Sequence, residues 1–460
     1  MDGTAGLLIP GFCWAKVNTR KEERLNAINR DRPGRKGIFY GWWIVIASGI
    51  LFFFGGGTFY YGFSVFFNPI RETFGWSATV TSVAFTLRGI ETGVLGPVAG
   101  FLVDRVGPRK LMVSGWVIIG LGFLLMSRIN SLWAFYGTFV VAAVGMSFGT
   151  GVVINTAVAN WFTKKRSRAL AITFIGPGAS GLLAPLFVFS ISQIGWSGTL
   201  TITGIVLWVI GIPLSLLFRD KPGRYGYLPD GETRVAIPIT SNEPPFRSSG
   251  EIVEPGSGSS TSGFTAKAAL RTRAFWLLSL SFFFQQMGTS AVTVHIVAYL
   301  ESVNVPTAIA AIAVTGMTLC SLIGRLGFGF LGDFTNKRYL VTISLVLQTI
   351  GLFLFSLIVA DRVWLLILFL LTFGPGFGAP IPLRSAMQAD YFGTRSFGTI
   401  MGLMSLIATI GGLASPIVAG WIFDTTGSYQ LAWWLFTIVT VPAIPLMLLA
   451  RPPKASVARS

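Results

Sequence analysis

Long apolar stretches separated by short polar segments run through most of the chain. Twelve of them approach or exceed the length of about 20 residues that a helix needs to cross a bilayer. Because lipid offers backbone amides no hydrogen-bond partner, we predict that each stretch is a membrane-spanning helix. The predicted spans are 41–67, 78–103, 110–128, 132–157, 168–191, 197–218, 274–300, 306–331, 339–360, 363–387, 397–422 and 430–450.

One polar segment, 219–273, separates the first six spans from the last six. It contains DKPGRYGYLPDGE and EPGSGSSTSG, and a composition so rich in Pro, Gly, Ser and charge does not bury a core. We therefore predict an all-α membrane protein with two six-helix halves, 41–218 and 274–450, joined by a cytosolic linker. The remaining residues, 1–40 and 451–460, are predicted to be cytosolic tails.

Short motifs recur in the two halves at an almost constant distance. GFLVDRVGPRK begins at Gly100 and a degenerate copy, GFLGDFTNKR, begins at Gly329, so that Asp104 and Asp333 are 229 residues apart. Two further pairs match at offsets of 230 and 231 residues: WFTKKRSRA at 161–169 with YFGTRSFGT at 391–399, and SGLLAP at 180–185 with GGLASP at 411–416. Three landmarks in the same order indicate that one six-helix unit was duplicated, which predicts pseudo-symmetric halves.

The composition supports a membrane protein and gives the charge a topological meaning. The 460 residues are 52% hydrophobic and 12% charged, with a mean hydropathy of +0.68, whereas a soluble domain has about 25% charged residues. The net charge is +17, but most Lys and Arg fall in segments that are cytosolic if the N-terminus is cytosolic. This is the positive-inside pattern. We expect both termini in the cytosol, at the plasma membrane, and basic segments that face anionic lipid and not nucleic acid.

Several classes of chemistry have no support in the sequence. Cys13 and Cys320 are the two cysteines and His295 is the one histidine, so neither a disulfide framework nor a metal cluster is predicted. Residues 1–36 are basic and have no apolar core followed by a cleavage site, and we interpret them as a cytosolic tail. There is no nucleotide-binding loop and no nucleophile with a base. We expect no enzyme and no cofactor.

The repeated loop resembles a family motif. GFLVDRVGPRK resembles the cytoplasmic loop motif of the major facilitator superfamily, G-x-x-x-D-R-x-G-x-R-R/K, with Lys110 in the last position. The resemblance covers the whole chain through the repeat. It implies a transporter whose halves rock around a site at the bilayer midplane. Such transporters commonly work as monomers, which we also expect here.

The loop has a physical interpretation as a latch between the halves. Gly100 allows two helices to approach closely, and Asp104 can accept hydrogen bonds from the N-terminal backbone or the basic side chains of a neighbouring helix. In the second copy Phe334 and Asn336 replace the Arg and Gly of the motif, so the motif does not decide whether the second copy also forms a latch. The predicted latch residues are Gly100, Asp104, Arg105, Gly107, Arg109, Asp333 and Arg338.

Ionisable side chains inside the spans are the first candidates for a binding site, since they are costly in hydrocarbon. Counting about 1.5 Å per residue from Asp333 places Arg325 roughly 12 Å from the cytosolic end of the eighth span, near the middle of the bilayer core. No acid lies within one turn on its own helix, so its guanidinium needs an anion from elsewhere. We interpret Arg325, with Ser321 one turn away, as the substrate carboxylate site. A structural ion pair with Glu91 is the alternative.

Three residues are candidates for proton coupling. Glu91 and Arg88 lie three residues apart on the second span and can neutralise each other as a structural pair. Alternatively, Glu91 binds and releases a proton, while Arg88 tunes its pKa or forms part of the external gate. His295 lies near the outer end of the seventh span, where it either takes part in coupling or only bonds a neighbour.

Other polar groups in the spans are weaker candidates. Arg384 lies near the cytosolic end of the tenth span, where snorkelling or a gate with Asp390 is a better interpretation than substrate contact. Side chains that can hydrogen-bond a carboxylate, with packing as the alternative for each, are Tyr60, Tyr61, Tyr136 and Gln285.

Two strings resemble one branch of the superfamily. FYGWWIVIASGI in the first span and RLGFGFLGD from Arg325 resemble the monocarboxylate and oxalate/formate transporters, and the latter string resembles the place where monocarboxylate carriers hold their substrate Arg. Ser321 stands where those carriers often have an acid, and the first span lacks their Lys. The eleventh span has no Lys either, although an exchanger of a dianion such as oxalate would be expected to use one.

A single intramembrane arginine at the site favours a monovalent anion. The expected function is therefore proton-linked symport of a short-chain monocarboxylate such as lactate, pyruvate or acetate, driven by a gradient. The alternatives are a carboxylate antiporter of the oxalate/formate type, an exporter of amphipathic compounds and, remotely, a non-transporting receptor or scaffold.

Overall fold

A computed structural model of the chain describes residues 38–76, 91–225, 227–231 and 263–453. All elements described below belong to one compact unit that begins at Tyr40.

Helices form almost all of the regular structure in these ranges. The N-terminal α-helices are α1 (Tyr40–Gly55), α2 (Phe63–Phe74), α3 (Gly96–Val106), α4 (Pro108–Met126), α5 (Leu132–Gly149), α6 (Gly151–Trp161), α7 (Arg166–Thr173), α8 (Ile175–Ala179) and α9 (Ala184–Leu216). The C-terminal α-helices are α10 (Ala266–Leu270), α11 (Arg273–Ser302), α12 (Thr307–Leu331), α13 (Lys337–Ser356), α14 (Leu365–Gly378), α15 (Pro380–Phe392), α16 (Phe397–Thr426), α17 (Gln430–Thr440) and α18 (Ala443–Leu449). The π-helical segments Gly56–Gly62 and Glu91–Leu95 lead directly into α2 and α3.

The described ranges contain nine helical stretches that are long and apolar enough to cross a membrane. This confirms an all-α membrane fold, although not the count of twelve spans. The predicted spans 168–191 and 197–218 fall in one stretch, Arg166–Leu216, because the chain turns at a single residue, Gly195, with φ 72° and ψ 171°. Residues 78–90 of the second predicted span lie outside the described ranges.

Polar side chains fix where several helices begin. Ser131, Thr265 and Thr272 accept hydrogen bonds from backbone N–H groups three residues later, at 3.3, 3.2 and 3.2 Å, and so satisfy donors that the first turn leaves open. Asn336 accepts from the N–H of Arg338 at 3.1 Å in the same manner. The caps therefore set the starts of α5, α10, α11 and α13.

Glycines bring α4 and α5 into backbone contact. A Cβ at Gly145 would overlap the backbone nitrogen of Ile119 and lie 2.9 Å from the carbonyl oxygen of Gly115. Small residues at such crossings replace the hydrophobic driving force that helices lack inside lipid. The contact fixes the third and fourth predicted spans against each other.

This contact provides a matched pair of stability variants. Gly145→Ala is expected to destabilise the folded protein by about 1–3 kcal/mol, since the added methyl overlaps backbone that cannot rotate away. Gly137→Ala on the same helix is the control, because nothing lies within 4 Å of a Cβ there. Thermal unfolding of the purified variants in detergent measures the difference, and equal unfolding temperatures would contradict the packing described here.

The described ends of the linker are attached to the helices. Asp230 accepts hydrogen bonds from the backbone N–H groups of Thr163, Lys164 and Lys165 at 2.9, 2.7 and 3.0 Å. At the other end, the N–H of Phe264 donates to the carbonyl oxygen of Phe392 at 2.8 Å. The first attachment lies just before α7 and the second just before α16.

Candidate functional site

The carboxylate of Asp104, near the end of α3, lies at the N-terminus of α16. It accepts hydrogen bonds from the backbone N–H of Gly398 at 3.0 Å, the N–H of Thr399 at 2.8 Å and the Thr399 hydroxyl at 2.7 Å. A negative charge is favourable there, because the first N–H groups of a helix have no partner within the helix. This is the type of contact predicted for Asp104 from the sequence.

Asp333, which follows α12, makes the corresponding contact at the N-terminus of α7. Its carboxylate accepts from the N–H groups of Ser167 and Arg168 at 2.9 and 3.4 Å. Burial raises the pKa of the Asp333 carboxyl above its ordinary value, although the hydrogen bonds from the Arg168 and Ser167 backbone lower it. The second copy of the motif thus makes the same type of helix-end contact as the first.

The Phe334 substitution in the second copy has a role in this contact. The guanidinium of Arg168 lies 4.9 Å from the ring centroid of Phe330 and 5.4 Å from that of Phe334, and its Nε is 3.5 Å from the Asp333 carboxylate. The arginine is therefore held between two aromatic faces and a carboxylate. Arg168, from α7, thus supplies a guanidinium beside the second copy of the loop, where Phe334 replaces the motif arginine.

Glycines allow these helix pairs to approach closely. A Cβ at Gly100 would overlap the carbonyl oxygen of Gly398, and a Cβ at Gly329 would overlap the methyl group of Ala171. Through α3–α16 and α12–α7 the N-terminal and C-terminal helices therefore touch at one end of the bundle. We call this end the latch end.

The other predicted latch residues have local contacts. Arg105 is exposed with its guanidinium 4.2 Å from the Phe101 ring centroid, and Arg109 is exposed. Arg338 donates to the Tyr339 hydroxyl at 3.1 Å. Gly107 has φ 89° and forms the turn between α3 and α4.

The sequence did not predict a third contact between the N-terminal and C-terminal helices. Arg166 at the start of α7 is buried and its Nη1 lies 2.8 Å from Asp390 Oδ1, while Lys337 Nζ lies 2.7 Å from Asp390 Oδ2. A gate between Arg384 and Asp390, one of the two interpretations of Arg384, is not found, since Asp390 is engaged by Arg166 and Lys337. The signal was present, since Arg166 lies in the repeated string WFTKKRSRA, but its charge was attributed to the positive-inside pattern.

Arg325 reaches from α12 to the N-terminal helices. Its side chain is 8% exposed, and Nη1 donates to the carbonyl oxygen of Phe174 at 3.2 Å. Phe174 is the junction where α7 gives way to α8. A Cβ at Gly178 would lie 3.3 Å from Nη1, and the Phe377 ring centroid lies 6.0 Å from the guanidinium carbon. The arginine therefore lies where α12 meets the N-terminal helices α7 and α8. We call the boundary between the N-terminal and C-terminal helices the seam.

Two predicted substrate residues make contacts within the C-terminal helices. The buried hydroxyl of Ser321 donates to the carbonyl oxygen of Thr318 on its own helix at 2.8 Å. The Gln285 amide nitrogen donates to the side-chain oxygen of Gln348 at 3.2 Å, between α11 and α13.

Two further candidates, Tyr136 and His295, contact aromatic neighbours. Tyr136 lies in the first turns of α5, 6.1 Å from Trp133 between ring centroids. His295 has Nε2 3.0 Å from the carbonyl oxygen of Pro416 and Nδ1 3.3 Å from the hydroxyl of Tyr429. Since a carbonyl only accepts, Nε2 is the donor, and in the neutral imidazole Nδ1 accepts from the tyrosine. These are the neighbour bonds that were the alternative to proton coupling.

Four predicted site residues cannot be placed. Arg88 lies outside the described ranges, and the side chains of Tyr60, Tyr61 and Glu91 are not described. Their assignments stay predictions.

These observations define a class of protein before any comparison. Membrane-length helices, a duplicated motif and two carboxylates that each reach a helix of the other part are the features of a membrane transporter with two related parts. The sequence profile of the Major Facilitator Superfamily matches residues 45–326 and 278–460. The chain belongs to the Major Facilitator Superfamily. This membership makes it a membrane transporter and not an enzyme.

Relatives and solved structures agree with this assignment. The chain is 24% identical to the oxalate:formate antiporter of Oxalobacter formigenes over 371 residues, which are 78% of this chain and 82% of that protein. It is 26% identical to monocarboxylate transporter 12 of Mus musculus over 411 residues, 86% of this chain and 82% of that protein. A crystal structure of the transporter FucP, from E. coli, in the outward conformation has a TM-score of 0.65 at 14% identity, covering 89% of this chain and 99% of that one.

Proposed function

We propose that this chain carries small organic carboxylates across the plasma membrane by alternating access, with Arg325 as the residue that binds the carboxylate. The observation that supports this is the position of its guanidinium, which is nearly buried at the seam and hydrogen-bonds the N-terminal helices at Phe174. A guanidinium presents a planar set of donors that matches a carboxylate. Ionisable groups at this depth are costly in free energy, and those that occur commonly mark a substrate or ion path.

The mechanism follows from the contacts of Arg325 and from the contacts at the latch end. A carboxylate at Arg325 offsets the cost of enclosing the guanidinium, so the loaded site can be occluded. For the latch end to open, Asp104 must leave the start of α16, Asp333 must leave the start of α7, and Arg166 must leave Asp390. We place the latch end and both termini in the cytosol, as the positive-inside pattern favours.

For energy coupling we propose symport with a proton, with a short-chain monocarboxylate such as lactate, pyruvate or acetate as cargo. Glu91 is the first choice for the proton carrier, since both ring nitrogens of His295 are engaged with Pro416 and Tyr429. The similarity to monocarboxylate transporter 12 supports the cargo. Carboxylate exchange is the second candidate, and the similarity to the oxalate:formate antiporter favours it.

Uptake into proteoliposomes separates these forms. Labelled lactate, acetate and oxalate are supplied with and without an inward proton gradient, and with and without unlabelled carboxylate inside. Symport predicts several-fold stimulation by the gradient, and Glu91→Gln is expected to abolish the stimulation while exchange of labelled for unlabelled carboxylate continues. Uptake that responds to internal carboxylate and not to the gradient would establish exchange, and no uptake of any carboxylate would contradict the proposed function.

A further inference from the structure

Arg384 lies deeper in the protein than its place in the sequence indicated. It is eight residues before Phe392, where α15 ends, and Arg325 is eight residues before Asp333, just beyond α12. At about 1.5 Å per residue, both arginines lie roughly 12 Å from the latch end. The C-terminal helices therefore carry two guanidinium groups at similar depth.

The contacts of Arg384 place it near the seam between the two parts of the chain. Its Nη2 donates to the Ser405 hydroxyl on α16 at 3.3 Å, and its guanidinium carbon is 4.9 Å from the Phe282 ring centroid on α11. Ser405 belongs to a row of residues on one face of α16, spaced three or four apart. The row is Gly398, Gly402, Ser405 and Thr409.

Three members of this row touch the N-terminal helices. A Cβ at Gly398 would lie 2.5 Å from the carbonyl oxygen of Gly100, and one at Gly402 would lie 2.7 Å from that of Gly96. The methyl carbon of Thr409 would lie 3.1 Å from a Cβ at Gly93. The face of α16 that bears Ser405 is thus the face that meets the N-terminal helices, and Arg384 reaches this face.

The helix that bears Arg384 also connects it with Arg325. Ala379, between α14 and α15, has helical φ and ψ of −59° and −42°, so the helix continues through the junction. Phe377 and Arg384 are seven residues apart and share one side of it. Phe377 is the ring that the Arg325 guanidinium approaches.

The charge of Arg384 has no carboxylate partner among the described residues. The described salt bridges engage Asp390 with Arg166 and Lys337, and Asp333 with Arg168. Arg384 Nε is buried without a hydrogen-bond partner in the described part of the chain, while the side chain as a whole keeps some exposure. A guanidinium stays protonated in a protein. We therefore expect its charge to be balanced by an anion that binds and dissociates.

We propose that Arg384 can bind a second carboxylate, so that the site accepts short dicarboxylates in addition to the monocarboxylates proposed above and binds the dicarboxylates more tightly. The inference rests on the proposed function, since it presumes that Arg325 binds the first carboxylate. Each arginine then holds one end of the substrate, Arg325 beside α7 and α8, and Arg384 beside α16. A dianion at Arg325 also supplies a negative charge to Arg384, whereas a monocarboxylate at Arg325 leaves Arg384 without an anion.

Competition for uptake tests the preference in the full-length protein. Labelled lactate uptake into proteoliposomes is inhibited with malonate or succinate and, in parallel, with acetate or unlabelled lactate. In the wild type we expect half-inhibition by the better dicarboxylate at a concentration at least about tenfold lower than by either monocarboxylate, as one further charge-assisted pair implies. Arg384→Gln is expected to raise the dicarboxylate value at least about tenfold and leave the monocarboxylate value within about threefold.

Variants separate this inference from the proposed function. Arg384→Lys keeps the charge and should retain part of the preference, and it replaces Arg384→Gln if that protein does not fold. Arg362→Gln, at an exposed site, is the control and should match the wild type. Dicarboxylates that inhibit the wild type no better than monocarboxylates, or equal weakening of both by Arg384→Gln, would overturn the inference while leaving Arg325 in place. Unchanged uptake in Arg325→Gln would instead overturn the proposed function.

Discussion

Arg325→Gln is expected to lower carboxylate uptake by about a hundredfold. Glutamine keeps hydrogen-bonding capacity but has neither the charge nor the two parallel donors that hold a carboxylate, and loss of one partner from an enclosed charge pair costs about 2–5 kcal/mol. Initial rates of labelled lactate, acetate and oxalate uptake into proteoliposomes measure the effect. All three should fall together, because the first carboxylate is common to all of them.

Two companion variants show whether the guanidinium itself is needed. Arg325→Lys keeps the charge without the planar fork and should recover only part of the rate. Arg362→Gln removes an exposed arginine and should leave the rate unchanged. Normal uptake by a correctly folded Arg325→Gln protein would exclude Arg325 as the carboxylate site and would favour cargo without an obligatory anion.

Gly100→Ala is expected to open the latch end. The new methyl overlaps the carbonyl oxygen of Gly398, so α3 and α16 cannot approach closely enough for Asp104 to keep its bonds to Gly398 and Thr399. We expect the conformational equilibrium to shift by about 1–3 kcal/mol towards the form that is open at this end, which also slows transport. Asn155 serves as the reporter, since it is buried and its Nδ2 lies 3.9 Å from Met401 Sδ across the seam.

The measurement is the rate at which a thiol reagent modifies Asn155→Cys in a protein whose Cys13 and Cys320 have been replaced. Gly100→Ala should accelerate modification several-fold. Gly96→Ala is the matched control on the same helix, where nothing lies within 4 Å of a Cβ, and should not change the rate. Asp104→Asn tests the carboxylate separately and should act in the same direction. Equal modification rates in Gly100→Ala and Gly96→Ala would show that α3 and α16 do not form the latch.

The sequence predicted what depends on regular patterns. Membrane helices follow from apolar length, and the helix-end contact of Asp104 follows from a loop motif whose chemistry is local. The second latch could not be judged from its motif, because the arginine that stacks on Phe330 and Phe334 comes from α7, distant in the chain. The Arg166–Asp390 pair joins residues 224 positions apart, and the repeated string that contains Arg166 does not identify its partner.

The remaining differences between the sequence predictions and the structure concern how deep a side chain lies in its span and which neighbouring helix it faces. The tenth span was predicted to end at residue 387, which put Arg384 beside the membrane surface, but the polar residues after it continue the helix to Phe392. The side-chain amide of Gln285 is engaged by Gln348 on another helix, and periodicity along α11 does not reveal such a partner. A position in a span thus identifies a candidate, while the neighbouring helices decide what its side chain meets.

The attachments of the linker have a mechanical consequence. Asp230 is hydrogen-bonded to the loop before α7, and Phe264 to the last residue of α15, which precedes the loop that leads to α16. The anchors therefore lie near the two helix ends that receive Asp333 and Asp104. The anchors must separate whenever those ends part. The 31 residues from 232 to 262 can span at most roughly 100 Å, so their number sets an upper limit on how far the anchors can separate. A pair of fluorophores at the two anchors would record each turnover as a change in distance.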